Sequence, residues 1–144
     1  SKLSELLDRA YRQFGYSILI DAHSMPHEAI LNACSGFHTS QVVLGDRYGA
    51  SCSPEIINNL TKLISKNGLH ASRNIPFSGA YIVQRYGSPG LNRHAIQLEI
   101  DRSMYMDERK IQKLEKFLKL KNKLRTILRN FSQTHTGITS IAAE

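Results

Sequence analysis

The 144-residue sequence has no tryptophan, only two cysteines and no apolar run close to the roughly 20 residues that a membrane-spanning helix needs. Cys34 and Cys52 are too few for a disulfide framework and form no CxxC motif, so both are predicted to be reduced. The sequence also lacks internal repeats, a signal peptide, a P-loop and a GxGxxG motif. These absences argue against secreted disulfide scaffolds, membrane proteins and nucleotide-binding folds, and they favour one cytoplasmic globular domain.

Positive charge is in excess, with a net charge of +7 and a pI of about 9.6. Residues 107–129 hold nine of the 19 lysines and arginines but only three acidic residues, so this segment alone carries +6. A basic helix over 107–129 is one hypothesis for a nucleic-acid-binding module. Phe117 and Phe131 lie on the apolar stripe of that helix, however, and a run of charges is most often the solvated face of a helix.

Apolar residues at helical spacing predict three helices. The first ends at Gly15, and the second begins with the N-cap signal Ser53-Pro54-Glu55 and ends near Gly68. The predicted ranges are 3–14, 53–67 and 106–131, followed by a polar tail at 132–144 that is expected to fray.

Five short segments are strand candidates: 16–20, 41–44, 69–72, 80–83 and 95–100. The first is almost continuously apolar, which predicts a strand in the middle of a sheet that ends at Asp21. Residues 27–39 are expected to be irregular, and a glycine-rich turn at 87–90 would join the last two strands as a hairpin. The pattern predicts one α/β domain over 1–131, with a mixed β-sheet flanked by helices.

Two positions on these strands could carry chemistry. Asp21 precedes His23 by two residues, so both side chains could lie on one face of the strand, as a carboxylate that orients a metal-binding imidazole would. Glu99 shares a pleat face with Gln97 in an apolar strand, where an acid needs a partner such as a metal or a cleft. A solvent-exposed polar face would explain Glu99 equally well, and a lone histidine is more often structural.

Four arginines lie at strand ends and in turns, where side chains can converge on a carboxylate ligand. They are Arg47, Arg85, Arg93 and Arg102. Cys52 could in principle act as a nucleophile with a histidine, but no motif of cysteine hydrolases surrounds it.

Four blocks of the sequence, in this order, resemble the N-formylglutamate amidohydrolase family. They are DAHSMP (21–26), LGDRYGASC (44–52), PFSGAY (76–81) and HAIQLEIDRSMYMDE (94–108). Together they span most of the chain before the last helix. The family pattern has two glycines where this sequence has Ser78 and Gly79, which is a mild departure.

The resemblance implies a fold similar to that of zinc carboxypeptidases, in which a mixed sheet between helices holds one zinc ion. Two of the ligands in such enzymes are an N-terminal histidine and acid, and a later strand-end histidine is the third, which His23 matches. The N-terminal motif, a Pro-His-Ser-Gly-like stretch, has no counterpart here, and family members are considerably longer. The sequence is therefore expected to be the C-terminal portion of a catalytic domain, incomplete at its N-terminus and partnered by the missing part.

The activity that the resemblance implies is hydrolysis of N-formylglutamate, or a similar N-acyl amino acid, to formate and the free amino acid, as in histidine catabolism. Glu99 matches the general base, Asp21 is the nearest group to orient His23, and Arg47 and Arg102 are expected to bind the substrate. With one carried-over ligand, the chain alone is expected to bind zinc weakly or not at all and to be inactive. A non-catalytic homologue is the remaining alternative.

Overall fold

The structure is a computed structural model that describes residues 1–33 and 40–136. Besides three short 3-10 turns, these ranges contain five α-helices and six strands. They are α1 (Lys2–Phe14), β1 (Ser17–Met25), α2 (His27–Ala33), β2 (Val42–Gly45), α3 (Pro54–Lys66), β3 (Ala71–Arg73), α4 (Tyr81–Tyr86), β4 (Arg93–Asp101), β5 (Met106–Asp107), β6 (Gln112–Lys113) and α5 (Phe117–Thr136). No helix within these ranges combines the length and the apolar character needed to cross a membrane.

Four strands form a mixed sheet in the order β1-β4-β2-β3. β1 runs parallel to β4 along their whole length, with Ser17 opposite Arg93 and Met25 opposite Asp101. β2 runs antiparallel to β4 and parallel to β3. The predicted mixed sheet flanked by helices is therefore confirmed, and β1 and β4 end at the same edge of it.

One face of this sheet, which we call the apolar face, packs against α3 and α5. Ile96 and Leu98 of β4 are buried there together with Leu60 of α3 and Ile127 of α5. These residues follow the period of two in the strand and the period near 3.6 in the helices, so each element contributes one apolar stripe to a single core.

The opposite face, which we call the polar face, has a smaller apolar cluster at one end. Met25, Val43 and Ile30 are buried there, with Phe77 packed against them. The rest of this face is polar. It carries Asp21 and His23 on β1 and Gln97, Glu99 and Asp101 on β4, because alternate residues of neighbouring strands in register share one side of the sheet.

The first two predicted helices are confirmed. α1 ends at Gly15, whose φ of 74° is the left-handed conformation of a helix C-cap. α3 begins at Pro54 after Ser53, as predicted, but the Ser53 hydroxyl makes no capping hydrogen bond. The strands predicted near 41–44, 69–72 and 95–100 correspond to β2, β3 and β4.

The prediction for the first strand was wrong in its end and its position. β1 continues through Asp21 and His23 to Met25, because each of its nine residues pairs with β4. It also lies at the edge of the described sheet and not in the middle, and most of its residues are half-buried. Residues 27–33, expected to be irregular, form α2, whereas Cys34 and the residues up to 39 lie outside the described ranges.

The strand and hairpin predicted from 80–83 are also wrong, because this segment belongs to α4. Its aromatic and β-branched residues favour a strand locally. Only Val83 of α4 is buried, however, and it packs against Gly79. The main-chain N–H groups of Gln84 and Gly87 donate to the carbonyls four residues earlier, at Ala80 and Val83. These hydrogen bonds over four residues define a short helix.

The predicted helix over 106–131 begins later and ends later. Met106–Asp107 and Gln112–Lys113 form a two-stranded hairpin instead of the first helical turns. The Asp107 carboxylate accepts N–H bonds from Arg109 and Lys110, which is a side-chain turn that competes with a helix. α5 starts at Phe117 and extends past Ser132 to Thr136, so the basic segment 107–129 is helical only in its second part.

Candidate active site

Asp21 and His23 form a contact on the polar face. The Nε2 atom of His23 lies 3.0 Å from Oδ1 of Asp21, and the side chain of His23 is 45% exposed while that of Asp21 is 18% exposed. The two residues are one pleat apart on β1, so their side chains emerge on the same side. At this distance the Asp21 carboxylate can orient the ring of His23, as a carboxylate does in a carboxylate–histidine–metal arrangement.

Glu99 is buried at the same level of the sheet. Its register partner on β1 is His23, so the two side chains emerge from neighbouring strands on one face. Glu99 is 7% exposed, and its Oε1 atom accepts a bond of 2.7 Å from Nε2 of Gln97. The pattern had left open whether this face is solvated, and the burial of Gln97 and Glu99 shows that its β4 part is not.

Two buried carboxylate oxygens on this face have no hydrogen-bond partner within the described ranges. They are Oδ2 of Asp21 and Oε2 of Glu99. Buried polar atoms are almost always satisfied, so each of these oxygens needs a partner that the described residues do not supply. A cation, a water or a polar atom of a substrate is the kind of partner that satisfies such an oxygen.

The donor types at this position fit a zinc site in part. An imidazole held by a carboxylate and an adjacent unpartnered carboxylate are groups that zinc binds or uses. Within residues 1–33 and 40–136, no three histidine, cysteine, aspartate or glutamate side chains converge into a complete set of metal donors. His23 is therefore one candidate donor, and the described residues do not by themselves supply a complete set.

A second carboxylate–histidine pair lies at the end of the same face, and the sequence reasoning missed it. Nδ1 of His27 is 2.8 Å from Oδ2 of Asp101, which is 3% exposed, and Glu108 accepts the main-chain N–H of His27. The partners are 74 positions apart in the chain, so no local motif signals the pair. The available signal was a polar residue at the end of one strand, Asp101 on β4, and another two residues beyond the end of its neighbour, His27 after β1.

Arg102 continues this cluster beyond the end of β4. Its guanidinium donates to the side chain and the main-chain carbonyl of Ser24, both at 3.3 Å, and lies 4.0 Å from Glu108. Arg102 is thus anchored beside Ser24, the residue that follows His23, with about a third of its side chain exposed.

Arg47 lies at the other end of the polar face. It lies two residues after Gly45, which pairs with Gln97, whereas Arg102 directly follows Asp101 at the end of β4. The two arginines therefore approach the polar face from opposite directions along β4. The separation of these positions along β4 is about 16 Å at a strand rise of about 3.3 Å per residue. The structure therefore does not bring the two guanidinium groups to one point.

A buried ion pair fixes the backbone at Arg47. Asp46 is fully buried and binds Arg73 through both oxygens, and Asn74 donates to the same carboxylate at 2.7 Å. Burial alone would raise the pKa of Asp46, but the hydrogen bonds from Arg73 and Asn74 outweigh it and lower the pKa below its usual value. Asn74 also accepts N–H bonds from Asp46 and Tyr48, which stabilises left-handed conformations at Arg47 and Tyr48.

The remaining sequence candidates are engaged in other contacts. Arg85 stacks on Tyr86, and Arg93 pairs with Asp8 and lies over Tyr11. Burial raises the pKa of Cys52 to about 12, so its thiol stays protonated at neutral pH and is a poor nucleophile.

The long helix α5 has the distribution expected of a solvated basic face. Leu120, Ile127 and Phe131 are buried, while most of its lysines are exposed. Phe117 contacts Tyr105 edge to face and lies under Lys113, so it is engaged within the fold. No observation on the described part of α5 points to a base-stacking surface.

A mixed sheet with an oriented imidazole and a buried, half-satisfied carboxylate near the carboxyl ends of two parallel strands is the architecture of an α/β enzyme. Residues 1–106 match the family model for N-formylglutamate amidohydrolase. The chain belongs to the N-formylglutamate amidohydrolase family, as the four sequence blocks had indicated.

Individual relatives agree. The chain is 38% identical over 103 residues to an N-formylglutamate deformylase of Pseudomonas putida, covering 71% of this chain and 38% of that protein. It is 35% identical over 107 residues to the Pseudomonas aeruginosa N-formylglutamate deformylase, covering 74% and 40%. A crystal structure of N-formylglutamate amidohydrolase from Ralstonia eutropha JMP134 superposes with a TM-score of 0.84 at 31% identity, covering 94% of this chain and 50% of that one. The chain thus spans about two fifths of the length of the curated relatives it matches.

Proposed function

We propose that this chain is part of an enzyme that hydrolyses the amide bond of N-formylglutamate, or of a similar N-acyl amino acid, to formate and the free amino acid. The observation that carries the proposal is the pairing of His23 with Glu99 across β1 and β4. Asp21 orients the ring of His23, and Glu99 is a buried carboxylate with one oxygen that has no partner among the described residues. Family membership supplies the substrate class.

In this proposal His23 is one ligand of a catalytic zinc ion, and Asp21 orients its ring and raises its basicity. When bound, the zinc ion polarises the amide carbonyl and lowers the pKa of a bound water to about 7. The zinc-carboxypeptidase-like fold implied by the resemblance belongs to the same proposal.

Glu99 is the general base and then the general acid. Its unpartnered Oε2 atom accepts a proton from the attacking water, and the same carboxyl group passes that proton to the nitrogen of the leaving amine. Burial to 7% exposure limits competition from bulk water at this oxygen.

Arg47 and Arg102 are proposed to bind the carboxylates of the substrate. An acidic N-acyl amino acid carries two carboxylates separated by its side chain, and the two arginines approach the polar face from opposite ends. Each guanidinium can form paired hydrogen bonds with one carboxylate. A substrate that lies along β4 past Glu99 would meet both.

The experiment is an amidase assay of the protein at its full natural length, loaded with zinc. Release of formate from N-formylglutamate supports the proposal, whereas full-length zinc protein that leaves N-formylglutamate and other N-acyl acidic amino acids unchanged would overturn it. The 144-residue chain alone should hold zinc weakly or not at all and show no useful activity. About one tightly bound zinc per purified chain would contradict this expectation.

Metal content separates the two proposed roles in the full-length protein. His23→Ala should lose zinc. Loss of a group that only orients a ligand already lowers metal affinity by about 10- to 100-fold, and His23 is proposed to bind the ion directly. Glu99→Gln should retain zinc, because its role is proton transfer. His70→Ala is the matched control, since His70 is an exposed histidine before β3. Equal zinc content in the His23 and His70 variants would remove His23 from the metal site.

A further inference from the structure

Gln97 is a buried residue whose side-chain amide lies between the loop that ends at Ala80 and the proposed base, Glu99. Its Oε1 atom accepts the main-chain N–H of Ala80 at 2.7 Å, and its Nε2 atom donates to Oε1 of Glu99 at 2.7 Å. Gln97 is only 4% exposed. Because the main-chain N–H can only donate, the carbonyl end of the amide must face Ala80 and the amino end must face Glu99.

This arrangement divides the two oxygens of Glu99. Oε1 is held by Gln97, while Oε2 has no hydrogen-bond partner in the described ranges. A hydrogen bond to one oxygen restricts the rotation of the carboxyl group, so the second oxygen keeps one direction. The Gln97 amide is a neutral donor, so it restricts the carboxyl group without adding a further charge beside His23.

We propose, on the basis of the function proposed above, that Gln97 is the positioning residue of the general base: oriented by the Ala80 N–H, it holds Oε1 of Glu99 and presents Oε2 to the attacking water.

The loop that supplies the Ala80 N–H is itself fixed by a close approach between two chain segments. A Cβ atom on Gly45 would lie 2.6 Å from the nitrogen of Gly79 and 2.7 Å from the carbonyl carbon of Ser78, so only glycine allows this contact. Ser78 also accepts the main-chain N–H of Arg47 at 2.7 Å. β2 therefore sets the position of the loop, and the loop sets the amide of Gln97.

The test uses two substitutions at Gln97 in the full-length zinc enzyme. Gln97→Met keeps a similar volume but removes both hydrogen bonds, and Gln97→Glu keeps the acceptor for Ala80 but removes the donor to Glu99. Both should lower kcat by about 10- to 100-fold with little change in KM, the range expected when a hydrogen bond to a charged group is lost. Gln112→Leu, on the exposed β6 strand, should behave as wild type.

A double variant distinguishes positioning from a general structural effect. If Gln97 acts through Glu99, Gln97→Met should cause no further loss of activity in a Glu99→Gln background. A further loss of about the same factor in that background would overturn the proposal, as would a folded Gln97→Met enzyme with wild-type kcat. Inactivity of the wild-type enzyme on every N-acyl amino acid would instead refute the proposed function.

If Gln97→Met does not fold, Gly45→Ala tests the same chain of contacts, from β2 through the loop to Gln97. It must displace the Ser78–Gly79 backbone, and it leaves the side chains of Gln97 and Glu99 unchanged. Its kcat should fall at least about 10-fold relative to Gly90→Ala, where a Cβ meets open space. A folded Gly45→Ala enzyme with the kcat of Gly90→Ala would overturn the proposal.

Discussion

The two faces of the sheet are both buried along β4, but they are held by different forces. Ile96 and Leu98 face α3 and α5 and contribute dispersion and apolar burial, while Gln97 and Glu99 on the opposite side contribute hydrogen bonds. Apolar contacts have no required direction. The polar face has fixed donors and acceptors, and two of its carboxylate oxygens are unsatisfied within the described residues.

The difference shows that burial alone does not indicate function. Leu98 and Glu99 are 4% and 7% exposed, yet only Glu99 has an atom that lacks a partner. An unsatisfied buried polar atom costs about 1–3 kcal/mol, so a fold that retains one gives up stability at that position. The apolar face should therefore control stability, and the polar face should control turnover.

The largest expected effect is on turnover, from Glu99→Gln. This substitution removes proton transfer while preserving shape, so kcat should fall by about 10²- to 10⁴-fold in the full-length zinc enzyme with an almost unchanged melting temperature. Glu115→Gln, at an exposed position before α5, is the control for loss of a carboxylate. Near-normal turnover of Glu99→Gln would show that another group is the base.

On the apolar face the expected effect is on stability and not on turnover. Leu60 is fully buried in the core between the sheet and α3, and Leu60→Ala should lower the free energy of unfolding by about 2–5 kcal/mol through lost burial and a cavity. Leu118→Ala, at a position 64% exposed on α5, should change it by much less. Urea unfolding measures both. Equal losses for the two variants would mean that α3 does not pack as described.

The smallest of these effects concerns a charge that is buried for structure. The folded-state pKa of Asp46 is lowered, so its ionised form adds stability above its ordinary pKa of about 4, and that stability is lost as the pH falls through the lowered value. Asp46→Asn should lower the free energy of unfolding by about 1–3 kcal/mol at pH 7.

The difference between wild type and Asp46→Asn should shrink below about pH 4, because the wild-type carboxylate becomes protonated there. Chemical unfolding at several pH values measures this. Asp8→Asn is the control, since Asp8 is about half exposed in its pair with Arg93 and should contribute about 0–1 kcal/mol. A difference that grows on acidification would contradict the assigned direction.

The features that could be predicted from the sequence are those with a local period or a local signal. The alternation of Ile96, Gln97, Leu98 and Glu99 indicated the two faces of β4 before any pairing was known. α1 and α3 follow from apolar stripes bounded by Gly15 and Pro54. Asp21 and His23 could be related because they are one pleat apart on one strand.

The features that could not be predicted depend on distant parts of the chain. α4 has the composition of a strand, and only its packing through Val83 against Gly79 favours a helix. The edge position of β1 depends on which strands it pairs with, and its own apolar residues do not encode that. Gln97 was noted only as a neighbour of Glu99, because its role depends on a main-chain N–H 17 positions earlier. The pairs Asp46–Arg73 and His27–Asp101 are long-range for the same reason.

The parallel pairing of β1 with β4 has a consequence for how the protein folds. It joins residues 17–25 to residues 93–101, so the chain must close a long loop before His23 and Glu99 become neighbours. Long-range parallel pairs form slowly, because the entropy of loop closure is lost before their contacts compensate for it. Helices such as α1 and α3 can form while the site does not yet exist. We therefore expect His23 and Glu99 to become neighbours late in folding, after these helices have formed.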